Sequence, residues 1–176
     1  MERQLQPELQ KQKEVLDDNA RKFTVGTIDP AFLEAQGASA YTLTTDWLET
    51  GSDNEKKLAY KEFGDGEVQI LLIAKVTKDG SRTSEKQKIT KEEYEALLGS
   101  SVLHLEKKRH EFDYVRDDVT FNVKYDEFAN SPLRVLEIDA ATEKERSSFD
   151  PDDFPATLSE VTGKADYYGY RVAGVV

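Results

Sequence analysis

Leu103-His104-Leu105-Glu106-Lys107-Lys108-Arg109 is the stretch whose reading decides the fold. In an extended strand successive side chains point to opposite faces, so Lys107 and Arg109 share a face with Leu103 and Leu105, and His104, Glu106 and His110 take the other. The same alternation governs two further stretches. From Leu133 to Asp139, Glu137 and Asp139 lie on the face of Leu133 and Val135, while Arg134, Leu136 and Ile138 point away. From Val68 to Val76, Lys75 falls on the face of Gln69, Leu71 and Ile73, and the opposite face is wholly apolar. A sheet with one apolar face and a second face carrying Lys, Arg, Glu and Asp has two readings. One is an ordinary antiparallel sheet with one wet side. The other is a closed barrel with a charged interior, in which cations grip a polyanion and carboxylates hold a divalent metal. Mg²⁺ and Mn²⁺ take oxygen ligands, so Asp and Glu suffice without His.

Working outward, the rest of the chain supplies more strands. Short strands are expected at Phe23–Val25, 40–48, 57–63, 67–76, 81–89, 102–112, 119–126 and 133–140. Gly64-Asp65-Gly66 and Lys78-Asp79-Gly80 read as tight hairpin turns, where glycine accepts the positive φ. Asp29-Pro30-Ala31 opens a brief helix through Gln36. Thr90 and Glu93 form a capping-box signature for a helix from Lys91 to about Leu98. A short helix is expected over 142–147, a loop over 151–155 and a small helix over 165–172. Residues 3–20 are rich in Gln, Glu and Lys with a thin stripe of Leu5, Leu9 and Val15 or Leu16, and read as a polar helix. Many antiparallel hairpins with a few inserted helices close naturally into a barrel or a strongly curved sheet.

Composition narrows the chemistry. The 176 residues suit one domain, and eight Tyr and eight Phe supply core material. With no Cys, disulfides, thiolate catalysis and Cys-bound zinc are excluded. Only His104 and His110 are available to a histidine-based site; both lie on the face away from Lys107 and Arg109 and read as surface or packing residues. A formal net charge of −11 repels nucleic acid and anionic lipid at long range. There is no apolar signal segment at the start and no run long enough to span a membrane, so a cytoplasmic protein is expected.

With these residues in place, the chain resembles the CYTH family, the triphosphate tunnel metalloenzymes, over about residues 18–173. The family opens on Glu-x-Glu-x-Lys; here Asp18-Asn19-Ala20-Arg21-Lys22-Phe23 stands there, with Ala20 in place of the second acid. The family's Arg-x-Arg is Lys57 and Ala59. The next strand ends in Lys75, as the family's does. Its Arg-x-Glu-x-Glu is Arg82, Ser84 and Lys86. Its Lys-x-Arg is intact as Lys107 and Arg109, Lys124 stands where an Asp is common, and Glu-x-Glu is Glu137 and Asp139. The closing Glu160-Val161-Thr162, followed by Tyr167, is the closest local match.

The resemblance implies an α+β fold: an antiparallel closed or nearly closed β-barrel with a few peripheral helices and an added N-terminal helix. The polar helix would span 1–17 and the tunnel domain 18–176. The helix is either a solvated add-on or an arm that contacts a partner chain. The implied activity is metal-dependent hydrolysis of inorganic triphosphate, thiamine triphosphate or a nucleotide; some family members make cyclic AMP. Lys22, Lys57, Lys75, Arg82, Lys107 and Arg109 would bind the triphosphate. Asp18, Glu137, Asp139 and Glu160 would hold Mg²⁺ or Mn²⁺, with Glu137 and Asp139 as the catalytic acids. The losses fall among the acids, and a Lys in place of an acid adds repulsion beside a metal. Three readings therefore stand: a phosphohydrolase with a rearranged metal site, a tunnel that binds a polyphosphate or nucleotide without turnover, and an interaction module that keeps the barrel for its shape.

Overall fold

Alternating strands separated by tight turns produce one antiparallel sheet. The computed structural model describes residues 13–17 through their backbone, and 19–51 and 53–175 in full. The strands are β1 (Lys13–Asp17), β2 (Arg21–Val25), β3 (Ser39–Thr50), β4 (Asn54–Phe63), β5 (Val68–Lys78), β6 (Ser81–Lys88), β7 (Leu103–Arg116), β8 (Val119–Phe128), β9 (Arg134–Asp139) and β10 (Leu158–Glu160). Helices α1 (Pro30–Ala35), α2 (Lys91–Leu98), α3 (Glu143–Ser147) and α4 (Gly169–Ala173) fill the connections, with 3-10 turns at Pro151–Asp153 and Ala165–Tyr167. Both capping boxes, at Thr90 with Glu93 and at Thr142 with Glu145, are formed. No helix among the described residues is long and apolar enough to cross a membrane.

The order across the sheet is β1-β6-β5-β4-β3-β7-β8-β9-β2-β10. Chain connectivity dictates its curvature. The eight strand-to-strand steps from β1 to β2 would span about 38 Å in a flat sheet. Yet only residues 18–20 join Asp17 to Arg21, a reach of at most about 14 Å. The sheet must therefore curl until its two ends meet. It is not closed by hydrogen bonds: among the described residues no ladder joins the β1 edge to the β10 edge. Of the expected closed or nearly closed barrel, the closed form is thus corrected: the sheet is curled and antiparallel but open between its edges.

The expected N-terminal helix is also corrected. Residues 13–17 are a strand, Lys13 to Asp17 pairing antiparallel with Gln87 to Thr83 of β6. A sheet edge with unpaired backbone groups offers this polar stretch more hydrogen bonds than a short isolated helix could keep. Residues 1–12 lie outside the described residues.

The core divides by face. On the convex side Phe23, Phe112, Tyr114, Phe121, Val123, Leu136 and Ile138 pack with Leu33 of α1 and with Phe149 and Phe154. On the concave side one cluster joins Tyr41, Leu43, Ala59, Leu71 and Ile73, and a second joins Trp47, Leu105, Phe128 and Val135 to Tyr170, Val172 and Ala173 of the C-terminal segment. The all-apolar face of β5 points outward, and its ends Val68 and Val76 stay exposed.

Candidate functional site

Register sorts the concave charges into rows across the sheet. Paired residues in a ladder point to the same side, so Tyr41, Arg109, Asp126 and Val135 form one row over β3, β7, β8 and β9. The next row is Glu111, Lys124, Glu137 and Lys22, alternating in sign over β7, β8, β9 and β2. On the other side lie Lys61 and Leu43 with Lys107, and then Ile73, Lys57 and Trp47.

Two acids anchor this face. Asp126, 1% exposed, accepts from Lys107 Nζ at 2.6 Å and from Arg109 Nε and Nη2 at 2.7 Å each. Burial opposes its charge, but Arg109 and Lys107 outweigh that and lower its pKa. Glu55, 4% exposed, accepts from Trp47 Nε1 at 2.8 Å, Lys57 Nζ at 2.9 Å and Arg82 Nη2 at 2.7 Å. Here too burial is outweighed, chiefly by Lys57, and the carboxyl is held at about 2. Glu137 lies 3.7 Å from Lys22; against the cost of burial, Lys22, Arg109, Lys107 and Lys124 hold it well below the usual carboxylate range.

The cations are under opposite pressure. Burial, and then the neighbouring Lys75, lower Lys57 to about 7. Burial and Arg109 lower Lys107 and Lys61 to about 8, and Lys86 and Lys124 also push on Lys61. That Lys61 of β4 feels Lys124 of β8 across two intervening strands is itself a mark of the curl. The Ser84 hydroxyl, in register with Lys75, is buried without a hydrogen-bond partner among the described residues.

The C-terminal segment crosses one end of this face. Lys22 Nζ donates to the Tyr167 carbonyl at 3.0 Å, and the Arg82 guanidinium lies 5.5 Å from the Tyr168 ring centroid. Gly169 sits so close to Trp47 that a Cβ there would come within 2.9 Å of the indole. A hollow of about 500 Å³ is lined by Thr50, Leu103, Tyr170, Arg171, Gly174 and Val175.

Of the residues expected to bind substrate, Lys22, Lys57, Lys107 and Arg109 stand on the concave face, as do Lys75 and Arg82 by register. Of the expected acids among the described residues, Glu137 and Asp139 share the concave face of β9 and Glu160 does not join them. Asp139 accepts from Arg146 Nε at 2.9 Å and from the Ala140 amide. Glu160 is on the convex face, where Arg21 grips it through two bonds of 2.9 and 3.0 Å. Asp18 lies outside the described residues. Among the described residues no group of three or more His, Asp or Glu side chains is placed to hold a metal ion. Among the described residues the donor set does not fit one: Asp126 and Glu55 are each held by two protein cations, Glu137 has Lys22 at 3.7 Å, and a divalent ion 6 Å from a single ammonium meets roughly 5 kcal/mol of repulsion at an effective dielectric of about 20. Glu55, Asp126, Lys61 and Glu111 were not anticipated. Glu55 and Lys61 lie an even number of positions from Lys57 on β4, Glu111 lies four from Lys107 on β7, and Asp126 lies two from Lys124 on β8, so period-two counting along those strands could have found them.

Two solved structures share this fold. That of the inorganic triphosphatase NE1496 matches with a TM-score of 0.59 and 22% identity, covering 90% of this chain and 99% of that one. A second, of the hypothetical protein NE1496, matches with a TM-score of 0.57 and 23% identity, covering 88% and 95%. No protein-family model and no curated protein matches the chain. The likeness carries the fold alone, a curled antiparallel sheet with few helices.

Proposed function

We propose that the concave face binds a triphosphate-containing polyanion: inorganic triphosphate, thiamine triphosphate or a nucleotide. The observation that carries this is the gathering of Lys22, Lys57, Lys61, Lys107, Arg109 and Lys124 on one face of a chain whose total charge is −11. Burial and then neighbouring cations lower Lys57, Lys61 and Lys107, so their charges are unfavourable alone and become favourable when an anion bridges them. Titration calorimetry with sodium tripolyphosphate tests it. Saturable binding that weakens with added salt, and that Lys61→Ala and Lys107→Ala each reduce by roughly tenfold or more, is expected. No binding would remove the proposal.

A second reading is hydrolysis of the phosphoanhydride, favoured by the likeness of the fold to a protein described as an inorganic triphosphatase. Phosphate release from tripolyphosphate, thiamine triphosphate or ATP, with and without Mg²⁺ or Mn²⁺, and its loss in Glu137→Gln, would support it. Binding without release would leave the chain a polyanion-binding module.

A further inference from the structure

We propose that this site takes its polyanion free of divalent cation, with the Lys124 ammonium between Glu111 and Glu137 serving where a metal ion would otherwise be needed. The inference rests on the polyanion reading and specifies the ligand's form. Lys124 is in register with Glu111 on one neighbouring strand and Glu137 on the other, so the three side chains leave the same face of the sheet side by side, a cation flanked by two acids. Both feel it: against the cost of burial, Lys124 is the largest influence lowering Glu111 and one of four cations lowering Glu137.

Glu111, Asp126 and Glu55 also accept hydrogen bonds from protein donors, and Glu137 has Lys22 at 3.7 Å. Glu111 accepts from the Tyr41 hydroxyl at 3.0 Å and from Asn122 Nδ2 at 3.4 Å. Asp126 and Glu55 each receive three hydrogen bonds from protein donors. Mg²⁺ requires near-octahedral oxygen ligands and releases its water reluctantly, so it would have to displace these cations to gain a carboxylate. A polyanion with Mg²⁺ attached carries less negative charge and brings a dication among ammonium groups. Free in solution, Mg²⁺ and the protein therefore compete for the same phosphate oxygens.

The test is calorimetric titration of the full chain with sodium tripolyphosphate at matched ionic strength, in EDTA and in excess Mg²⁺. The affinity is expected to be at least roughly tenfold higher in EDTA. Equal affinity, or tighter binding with Mg²⁺, overturns this inference and leaves the polyanion reading intact. Binding in neither condition removes that reading as well. Lys124→Glu is expected to lose roughly tenfold or more in EDTA and to lose the Mg²⁺ penalty, since it sets a third carboxylate beside Glu111 and Glu137. Lys124→Gln, which keeps the length without the charge, should show the first loss; parent-like affinity of a folded Gln variant in EDTA overturns the role of Lys124.

Discussion

Asp126 holds two of the cations that face the ligand site, and it competes with any ligand for them. An Asn at this position would leave Lys107 and Arg109 buried with half their compensation gone. Breaking a buried charge network in this way costs about 3–5 kcal/mol. Asp126→Asn should therefore lower the urea midpoint sharply while raising affinity for tripolyphosphate, and the ligand should restore part of the lost stability. An Asn variant as stable as the parent would show that the pairing is not structural. Reading the sequence located Lys107 and Arg109 because their strand alternates cleanly. It passed over Asp126 because the eye stops at Lys124, the residue that breaks the expected pattern, and not at the acid two positions on. Glu160 misled for the opposite reason. Its Glu-Val-Thr motif is intact, but register with Phe23 sets it on the convex face.

Gly169 opens α4 against the Trp47 ring, which is 1% exposed and pinned through Nε1 to Glu55. Neither partner can yield, so Gly169→Ala should cost about 1–3 kcal/mol and perturb the emission of the single tryptophan. Unchanged thermal unfolding would mean that the C-terminal segment shifts freely. On α2, Thr90→Ala removes half of the capping box and should cost about 1 kcal/mol by the same measurement. Elements with such local signals were legible: both hairpins with glycine, and the Thr90 helix start. The β7–β8 hairpin was not. Its turn, Asp117-Asp118, takes φ values of 49° and 63° without a glycine, so the strand runs on to Arg116 where a stop near Phe112 was expected. Nor was β1, whose apolar spacing suits a helix as well as a strand and is decided by the β6 edge beside it.

Taken together, the buried charges make the molecule's stability a function of pH in two separate windows. Glu55 is lowered from 4.5 to about 2, so the stability it lends is complete above its unfolded value and is lost as pH falls through the folded one. Lys57 is lowered from 10.5 to about 7, and Lys61 and Lys107 to about 8. Between those values and 10.5 the unfolded chain binds more protons than the folded one, so stability should rise with pH. Affinity for a polyanion should run the other way, falling as the lysines discharge, with protons taken up on binding near pH 8. Calorimetry in buffers of different ionisation enthalpy measures that uptake; release of protons would contradict the arrangement. The curl of the sheet was legible in the sequence only as an expectation, because no single strand shows it. It follows from β1 and β2 being neighbours in the chain and far apart in strand order. That placement also sets a timetable for synthesis. Arg21 meets Glu160 across 139 residues of sequence, so β2, made early, finds its partners only once β9 and β10 have left the ribosome. Until then Phe23 lacks the cover of Leu136, Phe149 and Phe154, and folding should be slow, late and exposed to aggregation, as long-range pairing makes it in β-rich chains.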